Sequence, residues 1–270
     1  MNNNIIIYNN STNERVKYNN NSNVKNEIRR SLKSIDYQKT SEKILFSELK
    51  TKDPTFFDVE NILIYNIGTS YFKNLAKDGL VFYHNESSIG DRNYKYNYTY
   101  KLVSKDDTDF LFEKNRLIDF DISLDKLTTK THPLEFMKKI KIQPEDNYNS
   151  ESISKIGINM VLKFKKENNK NLTSYIKKII DGITLSLHCF GGISEDLLRS
   201  MRNKYNDICR EDFKFEKYKI FGCKENLIFI YRNSIKVNPD DNKVKLFRIK
   251  KEIDNKINSE VKIEGSIYNL

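Results

Sequence analysis

The sequence has few of the residues that build cysteine or histidine sites. Its 270 residues include three cysteines and three histidines. Cys189, Cys209 and Cys223 are far apart and form no Cys-x-x-Cys pair, so the pattern favours free thiols over a disulfide framework or a zinc site. Any bound metal ion would therefore depend on carboxylates.

Long apolar runs are also missing. No run approaches the roughly 18 apolar residues that span a bilayer. The opening, MNNNIIIYNN, has neither the basic region nor the small-residue cleavage site of a secretory signal. We therefore expect a soluble, cytoplasmic protein with no membrane partner. Hydrophobic residues make up 38% of the chain, with 16 Phe and 16 Tyr, which is enough for a sizeable core.

The charge is strongly positive, at +10. Lysine and arginine neutralise phosphates, so this balance is compatible with DNA or RNA as a partner. The chain has a single alanine, Ala76, beside many Asn, Lys, Ile and Tyr, as is typical of an AT-rich genome such as that of a phage or plasmid. Part of the lysine excess can therefore reflect codon usage. The densest basic stretch predicts nucleic-acid contacts through Lys163, Lys165, Lys166, Lys170 and Lys178.

Regional composition divides the chain into four parts. Residues 1–24 are rich in Asn, and this composition predicts a disordered tail. Residues 25–41 have helical spacing of apolar positions and predict a basic peripheral helix. Residues 42–150 and 151–270 predict two α+β regions, the second with a mixed sheet, separated near residues 143–153.

In the first α+β region, three stretches carry structural signals. Residues 60–84 predict a strand at Ile62–Tyr65, a turn at Gly68, a short helix and a second strand at Leu80–His84. NYKYNYTYKL predicts a strand with a tyrosine row, which suits sheet packing better than base stacking. RLIDFDISL places Asp119 and Asp121 on one strand face, where they either share a magnesium ion or line a wet surface.

In the second region, IGINMVLKFKKE predicts a central strand, and the stripe from Leu172 to Leu187 predicts an amphipathic helix. Lys177 and Asp181 lie four residues apart on its polar side. A second helix is expected after Ser194, followed by two strands joined by a turn at residues 238–241.

The order of strand, basic loop and helix resembles the RusA-type Holliday-junction resolvases, which are small dimeric enzymes that cut branched DNA with magnesium. Their signature after a central strand is Asp-Leu-Asp-Asn, a Lys three residues on, Asp-Ala or Asp-Gly further along the helix, and a later acidic pair. The resemblance covers residues 156–190 and extends toward 250. The matching positions are Asn171-Leu172-Thr173-Ser174, Lys177 and Asp181-Gly182, with Glu195-Asp196 or Asp240-Asp241 as the later pair. It implies Lys177 and Asp181 as catalytic residues, Mg²⁺ as cofactor and a homodimer.

The sequence departs from this signature at its two opening carboxylates. Asn171 and Thr173 are neutral, so they cannot balance the charge of a magnesium ion. One interpretation is that the nuclease is inactive and its fold persists as a binding domain, which needs fewer assumptions. The other is that the metal site has moved to Asp119 and Asp121, with Asp181 as a further ligand and Lys177 assisting.

Three functions remain open, and whether the chain is an enzyme is left undecided. The leading hypothesis is a nucleic-acid-associated protein with a degenerate, inactive RusA-like domain. The second is an active magnesium-dependent nuclease of recombination, restriction or defence type. The third is a phage, plasmid or host protein-interaction module with no role in nucleic-acid binding, in which the charge reflects codon usage.

Overall fold

The computed structural model defines an α+β fold, as the sequence predicts, with a nine-stranded mixed sheet and packed helices. It describes residues 4–35, 43–53, 58–87, 89, 93–113, 115–144, 153–167, 171–190, 192–205, 208–213, 220–222, 224 and 226–270.

Within these residues the chain forms eleven strands and four α-helices, joined by short helical turns. The strands are β1 (Ile5–Thr12), β2 (Lys43–Thr51), β3 (Gly79–Asn85), β4 (Tyr96–Ser104), β5 (Arg116–Leu124), β6 (Ile140–Pro144), β7 (Ile156–Phe164), β8 (Ile228–Tyr231), β9 (Ser234–Val237), β10 (Val244–Ile253) and β11 (Val261–Asn269). The helices are α1 (Asn23–Lys33), α2 (Pro133–Lys139), α3 (Ile176–Ser186) and α4 (Glu195–Lys204).

The large sheet has the order β1-β4-β2-β3-β10-β7-β11-β5-β6. The pairs β2/β3 and β10/β7 are parallel, and the other neighbours are antiparallel. Strands from both sides of the predicted boundary at residues 143–153 therefore interleave in one sheet. Residues 145–152 of that segment lie outside the described residues.

One face of the sheet carries the main core. Ile28 and Leu32 of α1, Leu63, and Ile179 and Ile183 of α3 are fully buried in one cluster with the sheet side chains beneath them. The opposite face has a smaller apolar cluster near β2, β3 and β4 and is polar elsewhere. Because the helices cover one face, functional groups on α3 can meet only residues of that face or of the sheet ends.

The N-terminal segment corrects the prediction of a disordered tail for residues 1–24. Ile5–Thr12 forms the edge strand β1, antiparallel to β4. Ile5 and Ile7 pack on the core and Tyr8 is buried. These three side chains, together with backbone hydrogen bonds to β4, hold the Asn-rich strand on the sheet. The helix predicted within residues 25–41 is confirmed as α1, with Ser22 as its N-cap, while residues 36–42 lie outside the described residues.

The strand predicted at Ile62–Tyr65 is wrong. Asn61–Tyr65 forms a single wide helical turn, in which Asn66 N donates to Asn61 O at 2.7 Å. An apolar run of four residues fits a buried strand or a buried helical turn equally well, because both hide every side chain. The following features are confirmed: Gly68 has φ of 116°, a helical turn spans Thr69–Phe72, and the strand predicted after it is β3.

The predicted tyrosine row packs in the core. Tyr96, Tyr98 and Tyr100 of β4 are buried, whereas Tyr94 precedes the strand and is exposed. Tyr100 Oη donates to the carbonyl of Leu63 at 2.8 Å, which ties the wide turn to the sheet.

The C-terminal strands need one correction. The sequence predicts two strands joined at residues 238–241, but β8 and β9 already form a separate hairpin before that turn. Arg232 and Asn233 have φ of 46° and 59°, the left-handed conformation of a two-residue hairpin loop. The segment at 238–243 instead leads into β10.

Cysteine chemistry also differs from the prediction of free thiols. Cys189 is disulfide-bonded, and its partner lies outside the described residues. Cys209 remains a thiol. The backbone N–H of Cys189 donates to Gly222 O at 2.9 Å, so the chain after α3 is held against residues 220–222.

In the part of the chain that the structure describes, every helix is too short or too polar to span a bilayer.

Candidate metal centre

Four carboxylates surround the ammonium of Lys177, and we call this group the acidic cluster: Asp58, Glu60, Asp181 and Asp241. Asp58 and Glu60 introduce the wide turn Asn61–Tyr65. Lys177 and Asp181 lie one turn apart on α3, and Asp241 begins the short helical turn that precedes β10. Three segments that are distant in sequence therefore meet at one end of the sheet.

Lys177 contacts all four carboxylates. Its Nζ lies 3.1 Å from Glu60 Oε1, 3.5 Å from Asp181 Oδ1 and 3.6 Å from Asp58 Oδ2. It also donates a hydrogen bond to Asp241 Oδ2. One positive charge therefore faces four acidic groups, which would leave a net charge of −3 if all were ionised. The cluster is therefore suited to take up protons or a further cation.

Three of these carboxylates have the geometry of a cation site. Oxygens of Asp58, Glu60 and Asp241 lie within 4.8 Å of one another, which is compatible with joint coordination of a Mg²⁺ or Mn²⁺ ion. Glu60 is fully buried, and among the described residues its Oε2 has no hydrogen-bond partner. A buried carboxylate oxygen without a donor is costly unless a ligand completes it.

Burial dominates the protonation of the cluster. It raises the pKa of Glu60 to about 8, although Lys177 opposes the shift. It raises the pKa of Asp181 to about 7, again against the effect of Lys177. The pKa of Asp58 is raised by burial and by the nearby Asp241. Burial disfavours the charge on Lys177, but the four carboxylates outweigh it and raise its pKa, so the ammonium stays protonated.

The backbone around Lys177 is fixed by Tyr65. Its hydroxyl accepts from Lys177 N at 2.9 Å and donates to Thr173 O at 2.9 Å. Burial raises the pKa of Tyr65, which keeps this donor protonated. The wide turn therefore supplies the hydroxyl that holds the start of α3, and the residues just before it supply two of the carboxylates.

Asn171 and Thr173 serve this same junction. Asn171 Nδ2 donates to Thr69 O at 3.2 Å, and Asn171 Oδ1 accepts from Thr173 N at 3.2 Å. Thr173 Oγ1 lies 2.7 Å from Asn171 Oδ1 and 3.3 Å from Thr69 O. At the two positions where the resemblance expects carboxylates, neutral side chains thus bind the helix start to the segment after Gly68.

Asp241 is positioned through the backbone of its neighbour Asp240, not through the Asp240 side chain. The N–H of Asp240 donates to His188 Nε2 at 3.0 Å, which anchors the turn to the end of α3. The Asp240 carboxylate points away from the cluster, toward Lys224 at 2.6 Å and Lys243 at 3.4 Å. Of the two acidic pairs that the resemblance suggests, Asp240-Asp241 supplies the cluster. Glu195 instead pairs with Arg210 on the surface.

Asp119 and Asp121 lie on the opposite face of the sheet, so the structure does not bring them together with Asp181. Ile118 and Phe120 point into the core under α3, and strand alternation turns the two carboxylates to the other side. Asp119 pairs with Arg116 and accepts from Ser266 Oγ. Both β5 aspartates are partly exposed on this face, and the structure places them apart from Asp181.

The predicted nucleic-acid-binding lysines do not form one group around Lys177: Lys178 directly follows it on α3, whereas Lys163 lies on the other sheet face. Lys163 pairs with Glu264 on the open sheet face. β7 begins at Ile156, close to Asp241. Lys163 follows Ile156 by seven residues, and seven residues of strand span roughly 23 Å. Lys165 is half-buried, Lys166 is exposed, and Lys178 donates to Thr129 O. Lys170 lies outside the described residues.

Comparison of the chain with family models, curated proteins and solved structures finds no match. Sequence reasoning identified Lys177, Asp181 and Asp241 but missed Asp58 and Glu60. The one local signal for these two was a pair of acidic residues, at i and i+2, directly before an apolar run.

Proposed function

We propose that the protein is a divalent-metal-dependent phosphodiesterase that acts on nucleic acid, with the acidic cluster as its active site. The observation that carries this proposal is the fully buried Glu60, which lies beside Asp58 and Asp241. Among the described residues, its Oε2 has no hydrogen-bond partner. Hard cations such as Mg²⁺ and Mn²⁺ prefer carboxylate oxygens. Nucleic acid is favoured as substrate by the net charge of +10 and by the resemblance around Lys177 and Asp181.

Each member of the cluster has a distinct role in this proposal. Asp58, Glu60 and Asp241 hold the cation, which would activate water and neutralise charge on the reacting phosphate. Lys177 supplies a fixed positive charge next to that cation, since its pKa is raised and it stays protonated. Asp181 lies 3.5 Å from Lys177 Nζ and orients it. Carboxylates from outside the signature thus take the place of those missing at Asn171 and Thr173.

The test is a cleavage assay on single-stranded, duplex and branched DNA and on RNA, with Mg²⁺, Mn²⁺ or EDTA. We expect metal-dependent cleavage by the wild-type protein and at least a hundredfold loss in Glu60→Gln and Asp241→Asn. Asp240→Asn is the matched control for Asp241, because the Asp240 carboxylate faces Lys224 and Lys243. Asp119→Asn is the control for the opposite sheet face. Absence of cleavage with both metals would contradict the proposal.

A second candidate is nucleic-acid binding without cleavage. It is favoured by the position of Lys177, whose ammonium already contacts all four carboxylates and partly neutralises them. In that case the chain would bind DNA or RNA with an affinity that falls steeply with salt, and neither metal nor Glu60→Gln would change it. The cleavage assay and the binding assay together separate the two candidates. The homodimer implied by the resemblance remains a prediction for either.

A further inference from the structure

A cavity of about 370 Å³ lies at the same end of the sheet as the acidic cluster. It forms where the last residues of β3, the first residues of β10 and the residue before β7 meet: Leu246 is paired with Tyr83, and Val244 with Ile156. Asp241 directly precedes β10. Cavity and cluster therefore lie at the same sheet end, the cavity on the face of the smaller apolar cluster, to which Tyr83, Leu246 and Leu270 belong, and the acidic cluster on the face covered by α3.

The interior of the cavity is cationic. Lys155 and Lys245 line it together with His84 and Glu86, so two positive charges face one negative charge. Lys155 pairs with Glu86. Lys245 is 9% exposed and interacts electrostatically with Glu86 on the cavity side and with Asp58 and Glu60 in the acidic cluster. Lys245 is thus within electrostatic range of both the cavity and the acidic cluster.

A buried ammonium at this position favours an anionic ligand. Burial is the main cause that lowers the pKa of Lys245, and Lys155 contributes to the lowering. Burial and the Lys245 charge also lower the pKa of His84 to about 4, so its ring is neutral at pH 7 and adds no charge to the cavity. A phosphate would offset the desolvation of the lysine and accept a hydrogen bond from its ammonium.

The remaining lining is apolar and includes an exposed aromatic ring. Phe110 is 63% exposed although it lines the cavity with Leu111, Tyr83 and Leu270. A nucleobase can stack on such a ring, and base stacking on aromatic side chains is a common way to bind unpaired nucleotides. The volume is within the usual range of small-ligand sites.

We propose that this cavity, the nucleotide cavity, binds one unpaired nucleotide of a nucleic-acid substrate, with a phosphate on Lys245 and Lys155 and the base against Phe110. It rests on the proposed function, because the bound strand would lead from the cavity into the acidic cluster. The inference narrows the substrate class to single strands, or to branched and gapped molecules with an unpaired nucleotide next to the cleaved bond. A fully paired duplex cannot offer a base face to Phe110.

The test uses the full-length protein and fluorescein-labelled octathymidylate in EDTA, so that binding is measured without metal or cleavage. We expect Lys245→Gln and Phe110→Ala each to weaken binding at least tenfold. Phe110 is exposed, so its substitution is not expected to impair folding even if that of the buried Lys245 does. The matched controls are Lys236→Gln and Tyr231→Ala, an exposed lysine and an exposed aromatic on the β8–β9 hairpin, which we expect to change binding less than twofold.

The result separates this inference from the proposed function. Loss of binding in Phe110→Ala but not in Tyr231→Ala supports the nucleotide cavity, whether or not the wild-type protein cleaves. If the wild-type protein cleaves with Mn²⁺ and binding is the same in Phe110→Ala, Lys245→Gln and both controls, the nucleotide cavity is overturned and the metal site stands. Equal affinity for duplex and single-stranded probes of the same length would also contradict it.

Discussion

The ammonium of Lys177 lies 3.1 Å from Oε1 of Glu60, and this contact joins two residues that are 117 positions apart in the chain. It holds the start of α3 against the wide turn Asn61–Tyr65. Lys177 also donates to Asp241, which precedes β10, so a third segment is held at the same place. The contact therefore organises the fold and the candidate metal centre at the same time.

Replacement of this lysine separates its structural role from the role of a cation. Lys177→Met leaves four acidic groups without their ammonium, and we expect it to lower the free energy of unfolding by on the order of 3 kcal/mol in EDTA. Mg²⁺ should restore part of the loss, because a divalent cation can take over the neutralisation. Urea unfolding of the variant and the wild type measures both effects when it is done with and without Mg²⁺ at about 10 mM, a level that saturates weak sites. Equal Mg²⁺ stabilisation of the two proteins would contradict this expectation.

The protonation of Glu60 predicts an unusual pH dependence of stability in the absence of metal. A carboxyl whose pKa is about 8 in the folded protein keeps its proton there, whereas in the unfolded chain it is ionised above about pH 4.3. Its contribution to stability is therefore present at low pH and is lost as the pH rises through 8. Between pH 6.5 and 8.5 we expect the free energy of unfolding to fall by about 1–2 kcal/mol.

The comparison with Glu60→Gln identifies the group responsible. The amide cannot ionise, so the variant should have a shallower slope over the same pH range in EDTA. Asp181, with a pKa of about 7, adds to the slope in both proteins and therefore does not affect the difference. A slope that is unchanged by Glu60→Gln would show that Glu60 titrates as an ordinary carboxyl.

Restoring the expected carboxylate at position 173 should harm the protein. Thr173 is fully buried, and its Oγ1 lies near two acceptors, Thr69 O and Asn171 Oδ1. An aspartate there would place a carboxylate against these oxygens, and we expect Thr173→Asp to cost about 2–4 kcal/mol of stability. Thr173→Ser keeps the hydroxyl and serves as the control in urea unfolding. Wild-type stability with increased metal affinity in Thr173→Asp would favour an intact signature site instead.

Gly182 fixes the approach of α2 to α3. A Cβ at this position would lie 2.8 Å from the carbonyl oxygen of Pro133 and closer still to Phe136. Gly182→Ala should therefore lower the free energy of unfolding by about 1–3 kcal/mol, despite the higher helix propensity of alanine. Thermal unfolding measured by circular dichroism tests this expectation, and a variant more stable than wild type would contradict it.

The sequence predicted those elements whose periodicity is unambiguous. The stripe from Leu172 to Leu187 identified α3, and apolar runs bounded by polar turns identified β3 and β7. The edge strand β1 could not be predicted, because its order depends on pairing with β4, which is 90 residues away in the register Asn9–Thr99. The composition of residues 1–24 alone therefore cannot predict that this segment pairs with β4.

The candidate site was predictable in part for the same reason. Lys177 and Asp181 share a helix face, so their spacing alone places them together. Asp58 and Glu60 precede the apolar run Ile62–Tyr65, whose pattern predicts a strand. That prediction does not place the two carboxylates near α3. Sequence alternation correctly paired Asp119 with Asp121 but could not tell which face of the sheet the helices cover.

Electron paramagnetic resonance of Mn²⁺ can measure whether the acidic cluster binds a divalent cation. The wild-type protein should bind Mn²⁺ at pH 8, Glu60→Gln and Asp241→Asn should each weaken binding at least tenfold, and Asp240→Asn should leave it unchanged. Affinity should rise from pH 6.5 to 8.5, because Glu60 must lose its proton to coordinate the ion. A wild-type protein that binds no Mn²⁺, or one whose binding is equally affected by Asp240→Asn and Asp241→Asn, would show that the acidic cluster is not a divalent-cation site.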